Sequence, residues 1–524
     1  MHAQPLAPSP TVSGRRASAG YWVRLLPSFA LLACVTRIPS FTRPVWSPDE
    51  GYLAVQARLL AQGGELYETV VDRKPPLVPW LYQGVFALAG SESLTPVRIL
   101  AVLAQFATAL ALASLARRRW GDTAGRTAGV LYLLVSVGLN PEDAQAAGFE
   151  VFMLPFTAAA LWCADRRLWG MAGLAAGCAF LAKQTGGAVL IPVLWLWLRD
   201  ARGGRRGGAP RLAAGAAAPA LGAALVTDPG GFLFWTVTGS GTYAWLGDSG
   251  AHALSRGLVN AAIVAVACAG LIPPVVRALS GGREGARGPG SGGAARGRPA
   301  GWAGRGARGG GRAGRTPAGG PGTTADLWLW LAASAGAVTV GFHFFGHYYL
   351  QLLPPLALLA AAALRGRPAY RRTAALRTSA CCCVLFLAWG LLAPRTELDH
   401  ALRLAGTVAG RTGPGDRVLI WGMHPETYWL ADRAPATRYL TAGLLTNYSG
   451  GRVGSRVGEK YAVEGAWEVF HEEMATRPPA LVVDDSRGKP YGPRRVPGLR
   501  RLLDAGYVRA GKVDGAVLYV RGGG

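Results

Sequence analysis

Residues 46–81 read WSPDEGYLAVQARLLAQGGELYETVVDRKPPLVPWL, and most of the residues able to do chemistry gather there. Two adjacent carboxylates, Asp49 and Glu50, come first, and Tyr67, Asp72, Arg73 and Lys74 follow just before Pro75 and Pro76. Positioned carboxylates take or hold protons, and a lysine–arginine pair holds an anion. An isolated Asp-Glu pair would read as solvated loop, since carboxylates facing water carry little penalty. Here the acids and cations are tied together by elements. Tyr52, Val55, Leu59 and Leu60 recur at helical spacing, Gly63 and Gly64 stop that helix, and Pro75-Pro76 starts another.

These elements lie in an apolar setting. Of the 524 residues, 50% are hydrophobic and 16% charged, too apolar for a soluble enzyme of this length, so the chain reads as a polytopic α-helical membrane protein. A first apolar run, 21–38, follows Arg15 and Arg16 and lacks a clean small-x-small cleavage site. It reads as an uncleaved span preceded by a cytoplasmic tail, 1–20. Further spans are expected near 95–116, 126–139, 149–164, 168–182, 186–198, 211–227, 255–278, 326–345, 350–364 and 378–393, several of them short for a bilayer. With 76–90 taken as an interfacial helix, about eleven spans remain. Arg117–Arg119, Arg126, Arg166, Arg167 and the clusters at 199–211 and 365–377 then all face one side. That asymmetry gives a multi-pass plasma-membrane protein with its N-terminus cytoplasmic.

The expected organisation is a membrane module over 21–279 with a first outer loop at 39–94, a linker at 280–323, further spans over 324–393, and a small extracytoplasmic α/β domain over 394–524. The linker holds 18 Gly and 8 Arg in 44 residues, so it cannot bury a core and reads as a disordered cytoplasmic tract. Beside a membrane its partner is anionic lipid, and no nucleic acid is expected. Strand-like runs at 417–422, 480–485 and 516–521 mark the terminal domain. Seven cysteines, three of them consecutive at Cys381–Cys383, show neither disulfide nor metal spacing.

From Asp49 to Leu81 the order Asp49, Glu50, Tyr52, Ala54, Gly63, Tyr67, Lys74, Pro75, Pro76, Leu77 resembles the first outer loop of polyprenyl-phosphate-sugar-dependent membrane glycosyltransferases. That superfamily includes protein O-mannosyltransferases and lipid A aminoarabinose transferases. Gly148-Phe149-Glu150, Lys183-Gln184-Thr185 and the run from Tyr348 to Leu356 resemble it more loosely. The resemblance implies a C-type glycosyltransferase fold and an Asp-Glu site on the non-cytoplasmic face. It also implies a sugar donor carried on a polyprenyl phosphate, because nucleotide sugars stay in the cytoplasm.

The implied reaction assigns roles. Asp49 would be the general base toward an acceptor hydroxyl, and Glu50 would stabilise the oxocarbenium-like transition state or orient the sugar. Lys74 and Arg73 would hold the departing phosphate, with Lys183 as a second contact. Tyr52, Tyr67, Asp72, Glu142, Asp143, Glu150 and His347 are candidates for substrate binding. Direct displacement would invert the anomeric centre. His343 and His347 share the i, i+4 spacing of a metal pair. No glutamate lies between them and no third ligand is evident, so no metal site is assigned, and a divalent ion stays open as the one cofactor. Most of the 17 Trp fit interface belts, with Trp46 and Trp80 flanking the reactive loop. The acceptor could be a glycan, a lipid or a protein of a bacterial envelope. A transporter or flippase of lipid-linked saccharides is the alternative; it lacks support from an inverted repeat or mid-membrane charges.

Overall fold

The structure is a computed structural model and describes residues 11–203, 207–239, 250–284, 324–448 and 456–522. From residue 285 onward the Gly/Arg-rich tract expected at 280–323 lies outside the described residues.

Each expected span coincides with helix. Helix α1 is Thr11–Thr36, α2 Pro48–Ala61, α3 Leu77–Ala89, α4 Leu94–Trp120, α5 Asp122–Val135, α6 Pro141–Gln145, α7 Phe149–Asp165 and α8 Trp169–Ala182. Then follow α9 Leu190–Arg202, α10 Ala209–Val226, α11 Pro229–Leu233, α12 Gly250–Ala267, α13 Ile272–Glu284, α14 Ala325–Thr339, α15 Leu353–Leu364, α16 Ala369–Leu392 and α17 Thr396–Arg411. Among the described residues, seven helical stretches are long and apolar enough to cross a membrane: Ala19–Thr36, Leu94–Trp120, Ala209–Val226, Gly250–Ala267, Ala325–Phe342, Gly346–Leu364 and Ala369–Arg411. The remaining expected spans are α5, α7, α8 and α9. A 14-residue helix such as α5 covers only about 21 Å against a hydrocarbon core of about 30 Å. The run 255–278 is two helices and not one, because the chain leaves helix after Ala267 and re-enters at Ile272 before a Pro pair.

Helices α8 and α10 meet through Gly170, Gly173 and Gly177 on one and Gly215 and Ala216 on the other, the close approach that small residues permit. Helix α3 buries Val78, Tyr82 and Phe86 at four-residue spacing, while Leu88 is exposed.

Helix α2 buries more than the single apolar face that the spacing of Tyr52, Val55, Leu59 and Leu60 predicts. Its Leu53, Ala54 and Ala57 join the core of the bundle, while Val55, with Tyr52 and Leu59 beside it, joins the core of the terminal region. A helix apolar on opposite sides must be covered on both. At Gly51 a Cβ would fall 2.3 Å from Glu426 Cβ, so only glycine lets the short helix α18, Glu426–Leu430, lie this close.

Beyond α17 the chain forms a five-stranded sheet of β1 Arg417–Trp421, β2 Ala434–Pro435, β3 Leu481–Asp484, β4 Tyr507–Val513 and β5 Ala516–Arg521, in the order β2-β1-β3-β5-β4. Strand β1 is parallel to β2 and β3, and β5 is antiparallel to β3 and β4. The four residues of β3 are all buried, as a central strand covered on both faces requires. The expected α/β region is present, with β2 and β4 added to the strand runs read from sequence. Its core continues into the first loop: Leu66, Tyr67, Val70 and Val71 pack in one cluster with Leu419, Trp421 and Tyr439.

Candidate active site

The first turn of α2 fixes the acids. Ser47 Oγ accepts from the Glu50 N–H at 3.3 Å, and both carboxylates sit at the positive end of the helix. Asp49 and Glu50 then part company. The Asp49 side chain is 41% exposed, with Lys74 Nζ at 3.4 Å and His347 Nε2 at 3.8 Å.

Glu50 is fully buried. It accepts from Arg98 Nη2 at 2.8 Å, Arg98 Nε at 3.1 Å, the Trp46 N–H at 2.7 Å and the Ala147 N–H at 3.1 Å. With both oxygens engaged and no exposure, Glu50 joins α2, α4 and the loop before α7.

Around Asp49, residues far apart in sequence converge. His347 Nδ1 lies 2.7 Å from Asp143 Oδ1, and its Nε2 is 3.9 Å from Glu150 Oε1 as well as facing Asp49. Glu150 is ion-paired with Lys183, and both are buried. Lys74 Nζ stands 4.0 Å over the Phe149 ring and Lys183 Nζ 3.8 Å over Tyr348, contacts that hold each ammonium in place. Six of the expected site residues, Asp49, Lys74, Asp143, Glu150, Lys183 and His347, therefore form one cluster with the imidazole at its centre.

The two tyrosines are differently placed from expectation. Tyr52 OH donates to Val71 O at 2.7 Å, and Tyr67 OH donates to Lys74 O at 3.1 Å from a left-handed backbone of φ 75°. Gln184 Nε2 donates to Arg73 O at 2.6 Å. Their polar groups secure the strand of backbone that carries Lys74. Arg73 supplies its carbonyl to this clamp.

Burial pushes the Asp49 carboxyl up, but the charges of Lys74, His347 and Lys183 outweigh it and hold the pKa at about 2. Asp72 goes the other way: burial raises its carboxyl, Lys74 offsets only part of this, and its Oδ2 has no hydrogen-bond partner. Glu142 sits beside the cluster, accepting from Asn140 at 3.1 Å and Arg395 at 3.3 Å. Burial and the neighbouring Asp143 raise its carboxyl. Trp46 is buried, its carbonyl accepting from Arg395 at 2.5 Å. His343 stacks on Phe345 and does not join His347 as a metal pair; among the described residues no three His, Cys, Asp or Glu are arranged to hold an ion.

Sequence reading missed two arginines. Arg98 clamps Glu50, and the fully buried Arg37 donates to Ala144 O at 3.0 Å and Ala146 O at 3.3 Å, fixing the loop that presents Asp143. Both lie beside apolar runs, and their partners are far away in the sequence.

With the geometry in hand, the chain can be compared with known proteins. A family model described as dolichyl-phosphate-mannose-protein mannosyltransferase matches residues 73–221. No curated protein matches the chain by sequence. Among solved structures, ArnT from Cupriavidus metallidurans bound to undecaprenyl phosphate aligns with a TM-score of 0.55 and 16% identity, covering 96% of this chain and 98% of that one. AglB, the oligosaccharyltransferase of Archaeoglobus fulgidus, in complex with an inhibitory peptide and a dolichol-phosphate, aligns with a TM-score of 0.53 and 12% identity over 96% of this chain and 74% of that one. The chain therefore shares the fold of these two solved structures, and residues 73–221 match the mannosyltransferase family model.

Proposed function

We propose that this protein transfers a sugar from a polyprenyl-phosphate donor to an acceptor hydroxyl on the extracytoplasmic face of the plasma membrane, inverting the anomeric carbon. The observation that carries this reading is the Asp49–Lys74 pair, an ionised carboxylate and an ammonium 3.4 Å apart and both partly exposed. The acceptor oxygen bonds to the anomeric carbon as the bond from that carbon to the phosphate oxygen breaks. The acceptor proton passes to Asp49, and the bonding electron pair leaves on the lipid phosphate, which Lys74 receives.

A carboxylate held at about 2 is a weak base. Recruitment of Lys74 by the donor phosphate removes the nearest cation from Asp49 and raises its basicity, so donor binding itself readies the base. Asp143 orients His347, and His347 with the Glu150–Lys183 pair sets the field around both groups. Arg73 and Lys183 add positive charge behind Lys74, while Glu142 and Asp72 border the space left to sugar and acceptor.

The arginine bias of the loops supports a cytoplasmic N-terminus, with the terminal α/β region seated on α2 outside the membrane. Glycan, lipid and protein acceptors all fit this chemistry. Proteoliposomes holding the full chain and a panel of undecaprenyl-phosphate-linked hexoses and pentoses test it. Release of undecaprenyl phosphate with one of these donors is expected; movement of intact donor across the bilayer without bond cleavage would favour transport.

A further inference from the structure

At the end of the bundle opposite Asp49, the last turn of α4, the start of α5, the end of α7 and Trp22 of α1 line an open cavity of about 450 Å³. Its lining is Trp22, Ser114, Arg117, Arg118, Asp122 and Arg166. Helix α7 begins beside the candidate site with Glu150 and ends at Asp165, next to Arg166. At 1.5 Å per residue that separation is about 24 Å, so the cavity lies at the other end of the bundle, toward the opposite leaflet.

Three arginines face one aspartate in this wall. Arg117 pairs with Asp122 at 2.7 Å and Arg118 with Asp165 at 3.0 Å. Arg166 differs. Among the described residues it has no carboxylate within ion-pair distance; it donates to Trp162 O at 3.1 Å and Ser114 Oγ at 3.0 Å, with its guanidinium 3.8 Å from the Trp162 ring centre. Ser114 Oγ is itself held by Trp162 Nε1 at 2.9 Å. A guanidinium has five N–H donors, so the indole and the serine fix Arg166 while leaving donors for a ligand. Arginines at the ends of spans answer the helix dipole and the leaflet bias, but neither effect calls for a guanidinium braced in this way at the edge of a cavity.

We infer that this cavity binds the phosphate headgroup of an anionic glycerophospholipid from the leaflet opposite the candidate site. A phosphodiester meets the fork of Arg166, and Arg117 and Arg118 supply the field. Beside Trp22, the exposed Val23 and Leu26 of α1 offer an apolar flank for acyl chains, which a soluble phosphate would not use. The site rests on a different set of residues from the proposed transfer chemistry and stands or falls separately from it.

Native mass spectrometry of the full chain, released from detergent micelles doped with phosphatidylglycerol, phosphatidylcholine or inorganic phosphate, tests the inference. One retained phosphatidylglycerol is expected, with phosphatidylcholine washed off. Arg166→Gln should weaken retention about tenfold, the scale of one charge-assisted contact. Arg166→Lys should restore part of it, and Arg367→Gln at an exposed position should change nothing. Equal retention of the two lipids, unchanged retention in Arg166→Gln, or displacement of the lipid by equimolar phosphate would each overturn it.

Discussion

Lys74 Nζ lies 3.4 Å from Asp49 Oδ2, and this contact ties the expected base to the expected phosphate ligand. Removing the ammonium should do two things. In Lys74→Met the departing phosphate loses its nearest cation, so kcat/KM for the lipid donor should fall by about 10²–10³, the scale of one electrostatic contact to a developing charge. Steady-state kinetics with saturating acceptor measure it.

The pH profile of the same variant carries a sign. Asp49 must be ionised to accept a proton. In the native chain its pKa is about 2, so the rate should not fall on that account between pH 8 and pH 4. Without Lys74 the raising effect of burial is less opposed, the pKa climbs, and the acid limb of kcat/KM should move upward into the measurable range. An unshifted limb would remove Lys74 from the environment of Asp49.

Glu50 and Arg98 form the other contact that matters, and its consequence is stability. Glu50→Ala leaves Arg98, whose side chain is 4% exposed, with its carboxylate partner gone. Breaking a buried pair from one side costs about 3–5 kcal/mol. The variant should show a markedly lower unfolding temperature in detergent, and the double variant Glu50→Leu, Arg98→Leu should recover part of the loss. Normal stability with lost activity would place Glu50 in the chemistry.

Much of this site was legible in the chain. Asp49 and Lys74 stood out because acids and cations were spaced by a helix with defined ends, Asp143 because its loop was expected beside the first outer loop, Glu150 and Lys183 because their short motifs carried the resemblance, and His347 by its spacing from His343. Glu50 could not be told from Asp49 by type: adjacent residues on a helix point about 100° apart, and only packing decided which faced the bundle. Arg98 and Arg37 looked like ordinary span flanks, since their partners lie 48 and about 107–109 residues away. Strand β4 was unreadable because an edge strand with no fully buried residue has no apolar alternation to detect. The double burial of α2 escaped for a related reason: its second cover, α18, comes from the far end of the chain.

That seam makes Gly51 a sensitive position. In Gly51→Ala the new methyl would meet Glu426 Cβ at 2.3 Å and Glu426 Cα at 2.6 Å, and backbone cannot yield as a flexible side-chain tip can. The terminal region should lift from α2, visible as faster proteolysis after residue 394, and transfer should fall because Asp49 is two residues away. Native protease resistance with native turnover would show that the domain contact is not needed to place the base.

The account as a whole turns on the Asp49 carboxylate taking the acceptor proton. Asp49→Asn keeps the shape and the 41%-exposed position but removes the charge and the basicity. Turnover of an undecaprenyl-phosphate-linked donor by the purified full chain in proteoliposomes should drop by about 10²–10⁴, with the unfolding temperature close to native. Undiminished release of undecaprenyl phosphate from a properly inserted Asp49→Asn protein would contradict it.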